Sequence, residues 1–281
     1  MTRSSNNPRR WTALAAAEIG AAHVKRQMPC QDACAIVVRR TGLVLGALSD
    51  GVGSASQSEV GARLAIASAL KAMIEEARER TLRDAQPPPR DVFERALGRA
   101  VEAIRRCAVA AQREEGDYAC TLILLAVAPT WIAALSVGDG FVAWRPADSP
   151  EHQVLLPPEK GEFVNYTTAI TSMNASESVR FEIRQQPPAF AMASSDGLLY
   201  LALKSESWQP HAPFFQFLES QARRSDMSLE LLRALLRHPQ VAELSDDDKS
   251  LLIVSSRRYD AASARCDAPP NESGEGIDVP G

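Results

Sequence analysis

Apolar and polar positions along this chain follow two rhythms. Short runs rich in apolar and β-branched residues predict strands near 11–19, 33–39 and 43–49. The period then lengthens. Val60, Leu64, Ala67, Ile74 and Ala77 recur at near-helical spacing, and Phe93, Leu97, Ala100, Ile104, Cys107 and Ala111 fall on one stripe of a second helix. Between them "DAQPPPR" (84–90) cannot continue a helix, because proline lacks the N–H and crowds the preceding turn. Two long amphipathic helices are therefore expected as an antiparallel layer. Three strand-like runs follow: Cys120 to Ala128, Trp131 to Val137 and Phe141 to Trp144. Their separators, "PT" and "GDG", predict hairpin turns and hence an antiparallel meander.

Residues 146–178 are polar and irregular, too long for an ordinary connection, and predict a mobile flap. Strands resume at 179–184 and 189–194, "SDGLLYLAL" starts a helix, and Phe214 to Arg223 and Ser228 to Arg237 read as two more. "KSLLIVSS" closes as a strand. Strands in runs with helices in pairs predict an α+β fold, a sandwich of antiparallel sheets, rather than alternating βαβ units. One domain over 11–258 accounts for the length, with a flexible N-terminus at 1–10 and a Pro-, Gly-, Ser- and acid-rich disordered tail at 259–281.

Composition narrows the partners. A net charge of −4 supplies no basic field for nucleic acid and no polybasic membrane anchor. No stretch approaches the roughly 18 apolar residues of a membrane span, and "ALAAA" (13–17) is too short for a signal-peptide core, so a cytoplasmic protein is expected. Five cysteines, an odd number, build no disulfide framework; Cys30 and Cys34 with His23 match no zinc-ligand spacing, and reduced, mostly buried thiols are expected.

The chemistry lies where apolar runs end in acids. Asp32 precedes "ACAIVV", Asp50 ends "LVLGALS", Asp139 follows "WIAALSVG", Asp196 follows "FAMASS", and Asp246, Asp247 and Asp248 precede "KSLLIV". Any one of these is explained by turn or cap chemistry. Several converging at a sheet edge would repel one another unless cations neutralise them, and hard oxygen donors suit Mg²⁺ or Mn²⁺. The alternative for "SDGVGSAS" (49–56), a phosphate-cradling glycine loop, lacks both the P-loop pattern and the third small residue of a dinucleotide fingerprint.

The ordered series "PCQDA", "LSDGVGSASQSEVGA", "ACTLILLAV", "SVGDGFVAWR", "MASSDGLLY" and "DDDKSLLIV" resembles the metal-dependent type 2C serine/threonine protein phosphatases, particularly their bacterial branch, over about residues 12–256. The resemblance implies a four-layer αββα sandwich, two antiparallel sheets flanked by helix pairs, with a two-metal site at one end. It places the metal-bridging aspartate and glycine carbonyl on Asp50 and Gly51, and further ligands on Asp196 and Asp247, with Asp246 as the fallback. A third, weaker ion falls to Asp139, and the acid pair near the first strands falls on Gln31 and Asp32. Mn²⁺ or Mg²⁺ would lower the pKa of a shared water for attack on a phosphomonoester, without a covalent phosphoenzyme.

The chain departs from the family at three places. Gln31 stands where many members have glutamate, Val52 where some have a histidine able to protonate the leaving group, and the phosphate-binding arginine has no counterpart in exact register. His23 is the local substitute for the acid, and Arg26, ahead of Lys25, for the phosphate grip, because guanidinium binds phosphate bidentately. Thr121 is expected to be structural. Phosphorylated Ser/Thr proteins are the implied substrates, with a cognate Ser/Thr kinase as a further partner. Gln31 keeps a second reading open: a pseudophosphatase or phosphoprotein-binding module of the same fold.

Overall fold

The computed structural model describes residues 10–78, 86, 87, 89–159, 167–205 and 207–257. The expected N-terminal arm, the 259–281 tail and part of the 84–90 linker lie outside them. Among the described residues ten strands form two antiparallel five-stranded sheets. The first has the order β1 (Arg10–Glu18), β10 (Lys249–Arg257), β9 (Pro188–Ser194), β6 (Phe141–Pro146), β7 (Gln153–Leu156). In the second the order is β2 (Ala33–Val38), β3 (Val44–Ser49), β4 (Leu122–Val127), β5 (Ile132–Val137), β8 (Arg180–Arg184).

Side-chain alternation along the strands builds three apolar layers. In β4, Leu122, Leu124 and Ala126 face the helices, while Ile123, Leu125 and Val127 enter the space between the sheets. From the opposing sheet, β10 sends Leu252 and Val254 into the same space and turns Leu251 and Ile253 outward. At Gly46 in β3 the opposing sheet leaves no room for a side chain: a Cβ there would lie 2.9 Å from Leu252 Cδ1. The outer faces are covered by α2 (Ser58–Arg78) with α3 (Arg90–Ala111) on one side, and by α4 (Leu199–Ala202), α5 (Ala212–Ala222), α6 (Leu229–Leu236) and α7 (Pro239–Leu244) on the other. The layering is the α+β sandwich expected from the sequence.

Three local features differ from that reading. "GDG" is not a hairpin: β5 and β6 belong to different sheets, and residues 138–140 carry the chain across. Gly138 turns at φ +104°, and a Cβ there would meet Thr121 Cγ2 at 2.5 Å; one on Gly140 would meet Ile123 Cδ1 at 2.8 Å. The 146–178 region contains β7, whose Leu155 and Leu156 are buried beside β6, and residues 160–166 lie outside the described set. Two short helices, α1 (Ala21–Arg26) and α7, fall in stretches where the periodicity predicts none. Of the four described cysteines, all free thiols, only Cys120 is fully buried. Among the described residues no helix is long and apolar enough to cross a membrane.

Truncating the side chain that bridges the two sheets tests this packing. Leu252→Ala is expected to lower stability by about 2–5 kcal/mol in chemical denaturation, as for other fully buried leucines. Val24→Ala, at a position 57% exposed, is expected to change it by less than about 0.5 kcal/mol.

Candidate active site

Asp50 leaves the end of β3 with its backbone clasped on both sides by one residue. Its N–H donates to Thr121 Oγ1 (2.9 Å), and its carbonyl accepts from the Thr121 N–H (2.8 Å). Ser49 Oγ adds a bond to the Thr121 carbonyl (2.5 Å), so Thr121 serves structurally, as expected. Gly51 then bridges Cys120, and a Cβ on it would press Ser58 Cβ at 2.8 Å and Gln31 Cβ at 3.0 Å. The glycine is required by this crowding. From the other sheet, β9 ends at Ser194 and delivers Asp196 into a single 3₁₀ turn, where a Cβ on Gly197 would lie 2.0 Å from the Asp248 carbonyl oxygen.

Asp139 stands between the two glycines of the sheet crossing, and Thr167 Oγ1 donates to its Oδ2 (2.5 Å). Asp247 precedes β10. The buried Lys249 ammonium holds that loop by donating to the carbonyls of Ser245 (2.8 Å) and Asp247 (2.7 Å). Asp50, Asp139, Asp196 and Asp247 thus reach one end of the sandwich from different strand ends. They line a cavity of about 310 Å³ with His23, Gln31, Gly51, Val52, Gly53, Ser54, Thr121 and Thr167.

The cavity is electrostatically unfavourable as it stands. Burial raises the Asp196 carboxyl to about 7, with Asp139, Asp247 and Asp32 adding repulsion. Asp50 is pushed well above the carboxylate range by burial and then by Asp32, Asp196 and Asp139. Asp139 is also raised, by burial first. No lysine or arginine is among the described residues lining the cavity. Asp139 Oδ1, Asp196 Oδ1 and Gln31 Oε1 are buried without a hydrogen-bond partner among the described residues.

Other candidates take different places. Asp32 lies behind the cavity: Ser195 Oγ donates to its Oδ2 (2.7 Å), it shares a hydrogen bond with Asp50, and burial raises it to about 6. His23 is the buried residue of α1 and lines the cavity, its Nδ1 2.9 Å from Asp248 Oδ2, although at an angle too poor for a hydrogen bond. Arg26 and Lys25 are exposed on the same helix, outside the lining, because α1 turns His23 inward and leaves its basic end in solvent.

In the acid triplet, Asp246 and Asp247 are both exposed, but only Asp247 lines the cavity; Asp246 offers α1 a backbone carbonyl, bonded by the Ala22 N–H (2.9 Å). Asp248 was not singled out by its sequence position, yet it anchors the whole 20–31 segment. Its Oδ1 accepts from the Gly20 N–H (2.7 Å) and its Oδ2 from the Gln31 N–H (2.6 Å). Thr167 and Ser195 were also missed; a hydroxyl beside an acid has no sequence pattern, and Ser195 next to Asp196 was the nearest to a signal.

The raised carboxyls give the metal-free protein a definite pH response. A carboxyl whose folded pKa exceeds its unfolded value of about 4 contributes its full stability below that value, and the contribution is lost as pH rises through the folded pKa. For Asp32 and Asp196 the loss runs from about 4 up through about 6 and about 7. Chelator-treated protein should therefore melt at a higher temperature at pH 5 than at pH 8, and Asp196→Asn should flatten that difference.

Comparison with known proteins agrees with this architecture. The protein phosphatase 2C family pattern matches residues 19–237. Serine/threonine-protein phosphatase 3 of Escherichia coli (strain K12) is 30% identical over 256 residues, covering 87% of this chain and 98% of the relative. Two solved structures share the fold at 14% identity: the serine/threonine phosphatase Stp1 of Staphylococcus aureus (TM-score 0.57, 92% of this chain and 100% of that one) and the Mycobacterium tuberculosis serine/threonine phosphatase PstP/Ppp (TM-score 0.58, 88% and 99%). With both the family pattern and a near full-length relative in agreement, the chain belongs to the protein phosphatase 2C family.

Proposed function

We propose that this phosphatase is a metal-dependent protein serine/threonine phosphatase, in which Mn²⁺ or Mg²⁺ bound in the acid-lined cavity activates a water toward phosphoserine or phosphothreonine. One observation carries the reading: four carboxylates converge on one cavity with no lining lysine or arginine among the described residues, Asp50, Asp139 and Asp196 have raised pKa values, and Asp139 Oδ1 and Asp196 Oδ1 are buried with no partner among those residues. Such a cavity repels a phosphate dianion unless cations intervene.

The donor set fits hard divalent ions. Every candidate ligand is an oxygen: the carboxylates of Asp50, Asp196 and Asp247 and the Gly51 carbonyl for two ions, and Asp139 for a third, weaker one. Among the described residues no three His, Cys, Asp or Glu side chains stand close enough together to hold an ion by themselves. Mg²⁺-like ions keep several waters and use one or two carboxylates with the substrate phosphate, so they do not require such a cage. When bound, the ions supply an activated water for in-line attack and offset the phosphate's charge.

The protein's own groups have separable tasks. Thr121 fixes the Asp50 backbone, and Asp32, held by Ser195, steadies the Asp50 carboxyl from behind. Gln31 lends an amide oxygen where the family often has a charge, so it can orient a water without adding to the repulsion. His23, beside Asp248, is the one imidazole among the described residues lining the cavity and is the group we assign to give a proton to the departing seryl or threonyl oxygen. Arg26 is exposed and outside the lining, so the charge that offsets the phosphate would come from the ions when bound.

The test is hydrolysis of a phosphothreonine peptide with Mn²⁺, with Mg²⁺ and with chelator. Turnover should require the metal. Asp50→Asn and Asp196→Asn should each lose more than the roughly 10–100-fold in metal affinity that removal of an outer partner costs a metal site. His23→Ala should lower kcat by about 100-fold or more, the scale of a general acid, while Arg26→Ala should stay within about twofold, as for an exposed side chain. Metal binding without turnover on any phosphopeptide would instead favour the phosphoprotein-binding reading that Gln31 keeps open.

A further inference from the structure

Arg180 opens β8 and pairs with Ser136 of β5 across the ladder. Its guanidinium donates to the Gly138 carbonyl and to Ser136 Oγ (3.0 Å) through one terminal nitrogen, and to the Pro157 carbonyl through the other. Nε is buried with no acceptor among the described residues. An arginine remains charged in proteins, so withdrawing it from water is costly unless fixed acceptors and nearby acids compensate. Burial lowers its pKa, and Glu159 and Asp139 act in the opposite sense.

The acceptors come from separate parts of the chain, and each leads to the cavity. Gly138 immediately precedes Asp139, at a φ of +104° and with no room for a Cβ beside Thr121. Pro157 leads to Glu159, whose Oε1 accepts from Thr168 Oγ1 (3.2 Å). Thr168 neighbours Thr167, which donates to Asp139 Oδ2. The contacts close into a ring: from Arg180 to Gly138 and Asp139, across to Thr167 and Thr168, then through Glu159 and Pro157 back to Arg180.

We propose that Arg180 is a positioning residue of the active site, one that sets Asp139 through Gly138 and sets Thr167 through Pro157 and Glu159. Its catalytic consequence rests on the phosphatase reading; its positioning role does not. A carbonyl-gripping guanidinium acts on both sides of the ring at once, whereas a lysine ammonium, a single point charge, cannot reproduce the fork. Arg180→Lys is therefore expected to recover only part of what Arg180→Met loses.

Two measurements test it. Backbone deuterium exchange should accelerate within 136–141 and 167–172 in Arg180→Met and, less so, in Arg180→Lys, while the β1–β10 pair keeps its protection. In a double-mutant cycle with Asp139→Asn on kcat/KM for the phosphothreonine peptide, Arg180→Met alone should cost about tenfold or more, the scale of one lost charged hydrogen bond. Added to Asp139→Asn it should cost little further, because both changes act on one group. Unchanged exchange in both segments, or fold-losses that multiply independently, would overturn the proposal. If the wild type shows no turnover with either metal, the phosphatase reading fails and the exchange data alone decide the role of Arg180. Should Arg180→Met not fold, Arg180→Lys carries both measurements.

Discussion

Mutual repulsion among Asp50, Asp139, Asp196 and Asp247 is the constraint around which this end of the molecule is organised. They arrive from β3, from the crossing between β5 and β6, from β9 and from the loop before β10, so both sheets must end at the same place. A carboxylate group free to relax would move toward water. Here the backbone prevents it: Thr121 clasps Asp50, Lys249 ties the loop of Asp247, and Gly197 and Gly138 press against Asp248 and Thr121 with no room for a side chain. The energy that holds the acids together comes from the apolar layer between the sheets, where Leu48, Ile123, Val142 and Leu252 are buried. Site and core are parts of one arrangement.

A second tier of buried polar groups transmits that rigidity. Asp248 joins Gly20, His23 and Gln31 to the start of β10, so the segment carrying two cavity residues is set by a carboxylate more than 200 positions away. Asp32 and Ser195 do the same behind Asp50, and Arg180 behind Asp139. None of these three groups lines the cavity. Their part is to leave the lining acids no way to separate, and it explains why the pKa values of Asp50 and Asp196 rise rather than relax.

Much of this was legible in the sequence, for identifiable reasons. Strands β3, β5 and β9 carry strong apolar runs that lead into acids, and β10 directly follows three, so both the sheets and the candidate acids could be read from local pattern. The order of six motifs then supplied the fold. What stayed hidden depends on partners distant in sequence. "GDG" has the same local signature as a hairpin and as a sheet-to-sheet crossing, and the difference lies in how Gly138 and Gly140 pack on Thr121 and Ile123. The roles within "DDD" are set by the N–H groups of Gly20 and Gln31, and α1, with one buried residue, leaves too little periodicity to detect. Arg26 was the better phosphate ligand by chemistry, yet His23 is the residue turned inward.

The central claim is that these acids are gathered to be neutralised by divalent cations, and proton release on metal binding tests it most directly. Mn²⁺ titrated into the metal-free protein by calorimetry, in buffers of different ionisation enthalpy, reports the protons displaced by each ion. Because burial raises Asp196 to about 7 and Asp32 to about 6, the account predicts binding with clear proton release at pH 6, smaller at pH 8 where these two have lost their protons, and weakened by Asp196→Asn. Absence of Mn²⁺ binding, or binding whose heat is the same in every buffer at pH 6, would contradict it.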